Sequence, residues 1–265
     1  VCEQARSQGD TELQVATLEY LVYCADRHGD YLTIDRLLEE ALPLAQEIGG
    51  SILAQHMVNS GSAHWRRQEW SSAFSELEQG LALARQAGDL RIMIDSLNLI
   101  GSLATERRDF DTAERALLDC RRLAAELGDR YKESAVVINL GNLYYEQGDF
   151  PMARKYYEFA FEASRELGAL PAEYLGLINL AFTDVAMGDL DAARQHTRQA
   201  LSGGRVLNLK PILTYGVLIF GKIAAADDDL NRALALFGLV QSDPSTGFDA
   251  RHDLEIAIAA LNRPA

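Results

Sequence analysis

Only six prolines interrupt this sequence. They sit in a composition rich in Ala, Leu, Glu, Arg and Gln, which are strong helix formers, so a helical protein is expected. Cysteine is as scarce: Cys2, Cys24 and Cys120 are an odd number with no C-x-x-C spacing. Nothing in that points to a disulfide framework or a zinc site, and a reducing, cytoplasmic setting is the expectation. Basic residues are in deficit, 25 against 39 acidic ones, for a formal charge of −14. Such a surface repels phosphate backbones and anionic lipid, so neither nucleic acid nor a membrane is an expected partner. The acidic excess reads as solvated helix surface or as a face tuned to a basic partner. No apolar run approaches the ~18–20 residues of a membrane span, and no signal peptide opens the chain. It starts at Val1 rather than Met, as a segment of a longer protein would.

The motifs of catalysis are missing too. The sequence has no G-x-x-x-x-G-K-[ST], no strand-borne G-x-G-x-x-G, no H-E-x-x-H and no G-x-S-x-G. His28, His56, His64, His196 and His252 fall at unmatched places, and His56 and His64 are two helical turns apart, too far to share a metal directly. Each is expected in a structural or solvent role. The carboxylates are dispersed. The expectation is a protein that is not an enzyme and needs no cofactor or metal.

What the sequence does contain is a period. Glu69-Trp70, Asp109-Phe110, Asp149-Phe150, Asp189-Leu190 and Asp229-Leu230 succeed one another at steps of 40 residues. The same step links Ala73, Ala113, Ala153, Ala193 and Ala233, then Gly61, Gly101, Gly141, Ala181 and Gly221, and again Gly88, Gly128 and Gly168. Within a unit, apolar residues recur at alternating steps of three and four, as in Phe110, Ala113, Leu117, Cys120, Ala124 and Leu127, which places one helix face against a neighbour. Glycine after Leu127 supplies the left-handed residue that ends a helix, and Asp149 can cap the next one. Small residues such as Gly141, expected beneath Ala153, let two helices approach. Each unit is therefore an antiparallel helical hairpin, and the fold class is all-α.

Leu140-Gly141, Tyr144, Gly148-Asp149, Ala153, Tyr157 and Ala160 resemble the tetratricopeptide signature of Leu-Gly, Tyr, Gly-Asp, Ala, aromatic, Ala. A period longer than the usual ~34 resembles the long-repeat subclass found in kinesin light chains, polarity adaptors and bacterial regulators. Ala181, Thr183 and Thr197 depart from the pattern, as does the missing proline at the end of each repeat. The resemblance implies a right-handed α-solenoid, a single tetratricopeptide superhelix over 1–265. Residues 1–10 would be the tail of a preceding repeat, because Ala5 to Asp10 parallels Ala84 to Asp89. Repeats would follow at about 11–50, 51–90, 91–130, 131–170, 171–210 and 211–243. After a turn-rich break at 242–247, a capping helix is expected over 248–262. Gly203-Gly204 should shorten the second helix of the fifth unit.

In such a superhelix the first helices line a concave groove. The face that would look inward carries Asn59 and Trp65, then Asn98 and Ser102. It continues through Asn139, Asn142 and Tyr145, then Ile178, Asn179 and Phe182, and ends with Tyr215, Leu218 and Lys222. Asn59, Asn139 and Asn179 share one repeat position although Asn is a poor helix former. An amide offers donors and an acceptor, which suits holding the backbone of an extended peptide. In peptide-binding members of the family Asn does this, and the resemblance implies it for Asn59, Asn139, Asn142 and Asn179. Equally, each Asn could bond a neighbouring helix. Trp65, Tyr145 and Phe182 read as anchors for a partner or as filling between hairpins. Arg66, Arg67, Arg107 and Arg108 suit helix C-termini by charge alone.

The tail from Arg232 to Val240, with Pro244 and a closing amphipathic helix, looks like the C-terminal region of signal-transduction ATPases that control transcription. Glu126-Leu127-Gly128-Asp129 is similar to their repeat endings. In that family a P-loop ATPase lies upstream and a DNA-binding domain at one end. The expected function is thus a non-catalytic module binding a protein, a peptide or a small-molecule inducer, as the sensor or interaction region of a larger bacterial regulator. The alternative is a free-standing adaptor that joins two proteins.

Overall fold

The computed structural model describes residues 10–28, 30–243 and 246–261, and every regular element among them is a helix. The expected tail of a preceding repeat at 1–10, with Cys2, lies outside the described residues except for Asp10, and so do Pro244 and Ser245. The helices are α1 (Thr11–His28), α2 (Tyr31–Ile48), α3 (Gly50–Arg66), α4 (Trp70–Ala87), α5 (Leu90–Glu106) and α6 (Phe110–Leu127). They continue as α7 (Arg130–Gln147), α8 (Phe150–Glu166), α9 (Leu170–Met187), α10 (Leu190–Val206), α11 (Lys210–Ala226), α12 (Leu230–Ser242) and α13 (Phe248–Leu261). The starts of α4, α6, α8, α10 and α12 are 40 residues apart, so the sequence period is a structural period.

Local chemistry places the boundaries. Asp109, Asp149, Asp189 and Asp229 each accept a backbone N–H three residues on, from Thr112, Met152, Ala192 and Arg232. This satisfies one of the orphan donors at a helix start. Glu69, one methylene longer, holds the equivalent place without making that bond. At the other end, Gly88, Gly128 and Gly168 take the left-handed conformation that stops each second helix. The junction inside each hairpin from α3–α4 onward takes the same conformation. Gly148 and Gly188 supply it at no steric cost, but Gln68, Arg108 and Asp228 are held at φ of 62°, 60° and 61°.

The chain falls into two compact units whose boundary lies inside α7, after Asn139. In the first, α1 packs on α2, α3 on α4 and α5 on α6. The first helices also touch in order, α1 with α3 and α3 with α5. In the second, α9 packs on α8 and α10, α11 on α10, α12 and α9, and α13 on α11 and α12.

Close approach within a hairpin has a specific device, and it is not the one expected at Gly141. A Cβ built on Gly141 would lie 2.5 Å from the Tyr157 ring rather than over Ala153. On Gly61 and Gly101 it would lie 2.8 and 2.5 Å from Leu77 and Leu117, and on Gly221 2.3 Å from Phe237. Each glycine is thus the socket for the large side chain sixteen residues later. In the fifth unit the pair is Ala181 and Thr197, both fully buried. The added methyl is matched by a smaller partner, so the departure from the pattern is a compensated one. Gly203 and Gly204 do not shorten α10, which runs through them to Val206. They make room instead for Tyr174 and Ile212, which a Cβ would meet at 1.9 and 2.7 Å.

Candidate functional site

In the first unit the inner residues of α3, α5 and α7 are tied to one another. Asn139 donates from Nδ2 to Oδ1 of Asn98 at 2.8 Å. Gln55 donates to Oδ1 of Asn59 at 3.0 Å, and Trp65 donates from Nε1 to Glu106 at 2.8 Å. Ser102 turns back to the Asn98 carbonyl of its own helix at 3.0 Å, and Lys132 pairs with Asp95. Trp65–Glu106 and Asn98–Asn139 each cross from one first helix to the next. All of Asn59, Trp65, Asn98, Ser102 and Asn139 remain half-buried, and each amide keeps hydrogen-bonding capacity beyond the one bond described.

The same row holds a residue that the asparagine pattern overlooked. Counting back 40 from Asn59 gives Glu19, half-buried on α1. Burial pushes its carboxyl up to about 7, and Oε1 is buried without a hydrogen-bond partner. The 40-residue step was the signal that would have found it; the search for amides passed over an acid.

In the second unit the candidates gather around aromatic rings. Asn142 accepts from the Tyr157 hydroxyl at 2.7 Å, so its amide holds the second helix of its own hairpin. Tyr157 is almost wholly buried, which drives its phenol far above the usual range. Tyr145 meets Phe150 edge-on, with ring centroids 5.4 Å apart, and burial lifts its hydroxyl to about 12. Phe182 meets Tyr215 edge-on at 5.9 Å, and the Lys222 ammonium stands 5.1 Å above the Phe182 ring. Burial lowers the pKa of Lys222, with Asp253 pulling the other way. Asn179 is half-buried, and its carbonyl accepts from Thr183. Ile178 and Leu218, expected on the inward face, are buried at 1% and 0% exposure. On a helix wedged between two neighbours the accessible stripe is narrower than the periodic pattern implies.

Two of the histidines find partners in the packing. His64 lies between Glu69 and Glu76, and His196 donates or accepts at 2.7 Å with the fully buried Asp184. Arg154 stands 3.5 Å from the other Asp184 oxygen, near enough for charge compensation but not aligned for a hydrogen bond. Asp184–His196, His64–Glu76 and the stacked Tyr144–Tyr156 rings, 5.4 Å apart, occupy one register, twelve residues across a hairpin. One position filled by three chemistries is a hairpin clasp. His56 is buried, His252 is exposed, and the His28 side chain lies outside the described residues. Cys120 is fully buried, donates weakly to the Ile94 carbonyl at 3.2 Å, and is pushed up to about 12 by burial. Among the described residues no cluster of three or more His, Cys, Asp or Glu side chains could hold a metal, and no helix is long and apolar enough to cross a membrane.

Residues 92–166 and 133–205 match the tetratricopeptide repeat family. No curated protein matches the sequence. Among solved structures the chain is similar to a Rap protein complexed with competence and sporulation factor, at 16% identity and a TM-score of 0.78, covering 96% of this chain and 73% of that one. It is also similar to the Rap conjugation gene regulator of plasmid pLS20 in complex with the Phr* peptide, at 12% identity and a TM-score of 0.67, covering 98% and 77%. A third is a signal-transduction ATPase with numerous domains that carries a tetratricopeptide repeat sensor, from Pyrococcus horikoshii. Identity is 15% and the TM-score 0.69, and the match covers 94% of this chain but 42% of the other. At these identities the structural likeness establishes a shared fold alone.

Proposed function

Because residues 92–205 of this chain are tetratricopeptide repeats, we propose that it is a non-catalytic binding module whose first-helix faces take a peptide or an extended protein segment. The observation that carries this reading is a row of polar and aromatic side chains left open to solvent: half-buried Asn59, Trp65, Asn98, Ser102 and Asn139 in one unit, and exposed Asn142 with half-buried Tyr145, Asn179, Phe182 and Lys222 in the other. Asn98 and Asn139 hold each other, Asn59 is held by Gln55 of its own helix and Asn142 by Tyr157, so these amides have little side-chain entropy left to lose when a ligand arrives. An amide with one bond made and others open can hold a peptide backbone without reading its side chains. In the Rap regulator of plasmid pLS20 a fold of this kind is seen with a peptide, which supports the ligand class.

The proposal extends to context. Repeats over 1–265 would form one array, acting in the cytoplasm as the sensor region of a larger regulator. The similarity to a sensor that is one part of a multidomain ATPase supports that placement. The partner would bias the parent protein between two states by binding one of them better.

The test is selection of a displayed random-peptide library on the whole chain, followed by titration of enriched peptides against Asn139→Ala and Asn179→Ala, one in each unit. Circular dichroism checks that both variants fold. The expected result is a loss of affinity of about 1–2 kcal/mol per amide, the scale of a hydrogen bond left unmade. Peptides that bind both variants as well as the parent would refute the siting on the first-helix faces.

A further inference from the structure

The inner face of the second unit is already partly covered, and by the chain itself. Helix α13 turns Leu254 and Ala257, both buried, and Ile258 and Leu261 into one apolar cluster with Leu218, Phe182 and Tyr215. With Ala250 these residues are spaced at four, three, one and three, the stripe of an amphipathic helix seated in a groove. Asp253 precedes the first large anchor, and its charge reaches both Lys222 and Tyr145. Four of the residues concerned, Tyr145, Phe182, Tyr215 and Lys222, belong to the face expected to bind a partner. The opposite side of α13, with Arg251, His252, Glu255 and Ile256, is exposed. The start of the helix is pinned: Thr246 donates to the Val240 carbonyl at 2.8 Å, and Arg251 reaches back to the Thr246 carbonyl at 3.0 Å.

A helix that merely closed the last hairpin would need no place on the inward face. Here its apolar stripe shares a cluster with Leu218, Phe182 and Tyr215, residues of the inward face, and it sets a carboxylate where the half-buried Lys222 ammonium needs compensation. We propose that α13 is a built-in occupant of the first-helix face of the second unit, standing in for a partner of the same chemistry. That partner is an amphipathic helix with an acidic residue just ahead of its first apolar anchor, and further anchors four and seven residues after that. It binds by displacing α13. The inference rests on the reading of this face as a binding surface, and adds the partner's form and the competition for the site.

The test uses the full chain and a fluorescent peptide of residues 248–261. Leu254→Asp/Ile258→Asp places two carboxylates in the apolar cluster and should release α13, read as faster amide hydrogen exchange over 250–261. The peptide should then bind the released variant about tenfold or more tighter than it binds the parent, since self-occupancy lowers apparent affinity by the fraction of sites open. Adding Lys222→Glu should abolish that binding, and an Asp253→Lys peptide should restore it. Release without peptide binding, binding indifferent to Lys222→Glu, or no release at all would each overturn the proposal. If the double variant fails to fold, the parent background decides: Lys222→Glu should speed exchange over 250–261 and Asp253→Lys in the same chain should slow it again. Unchanged exchange in both would refute the inference. No external partner enters these measurements. Library peptides that bind the parent while the 248–261 peptide fails would therefore sink the competition and leave the binding reading standing.

Discussion

At the scale of single residues, the hairpins are held by sockets. Gly141 admits Tyr157 so closely that a methyl group would stand 2.5 Å from its ring. Gly141→Ala should therefore destabilise the chain by about 1–3 kcal/mol, the usual cost of overpacking a filled core. The same change should cost much less in a Tyr157→Thr background, which imitates the Ala181–Thr197 pair. Denaturant titration of the four proteins closes that cycle, and equal costs in both backgrounds would contradict the socket. Glu19 is a second case. Its carboxyl titrates near 4.5 when unfolded and at about 7 when folded. The folded state binds the proton more tightly, so stability falls as pH rises between those values. Glu19→Gln should remove that fall. Discounting for partial exposure, the variant should be more stable than the parent by on the order of 2 kcal/mol above about pH 8, and equal to it below about pH 4. Parallel melts at both pH values test this. The asparagine row was legible from repetition, but its hydrogen bonds were not: Asn98 sits one position out of register and still meets Asn139. Rotamers and helix rotation settle such a contact, and periodicity carries neither.

At the scale of elements, the five hairpins from α3–α4 to α11–α12 each use a left-handed residue at the inner junction, and the sequence meets that need unevenly. Gly148 and Gly188 fit it, whereas Gln68 is forced to φ of 62°. Left-handed backbone costs a residue with a Cβ roughly 1–2 kcal/mol. Gln68→Gly should therefore stabilise the first unit by about 1 kcal/mol, less the extra chain entropy that glycine gives the unfolded state. A Tm that falls instead would show that the Gln68 side chain contributes more than its strain costs. The helix-stop glycines were readable because a broken pattern and a Gly coincide. Gly203-Gly204 misled for the same reason. A glycine in sequence signals either freedom of φ or lack of bulk, and only the neighbouring Tyr174 and Ile212 reveal that bulk is what matters there.

At the scale of the whole molecule, a surplus of 14 acidic charges acts on all the helices at once. Like charges oppose the compact state, and salt screens them over about 8 Å at physiological ionic strength. The Tm should rise as sodium chloride is added at neutral pH; a flat or falling Tm would mean that ion pairs such as Arg154–Asp184 and Arg194–Asp227 outweigh the general repulsion. The helical hairpin, its 40-residue step and its caps were all determined by sequence alone. Each rests on short-range chemistry that repeats, and repetition averages out local irregularity. Only tertiary structure decided which inner residues stay accessible, which amides hold each other, and where the last helix lies. Ile178 and Asn179 are neighbours on one helix, yet one is sealed and the other half-open. The difference depends on how deeply a neighbouring helix sinks into the groove, which is a matter of packing volume between elements far apart in the chain.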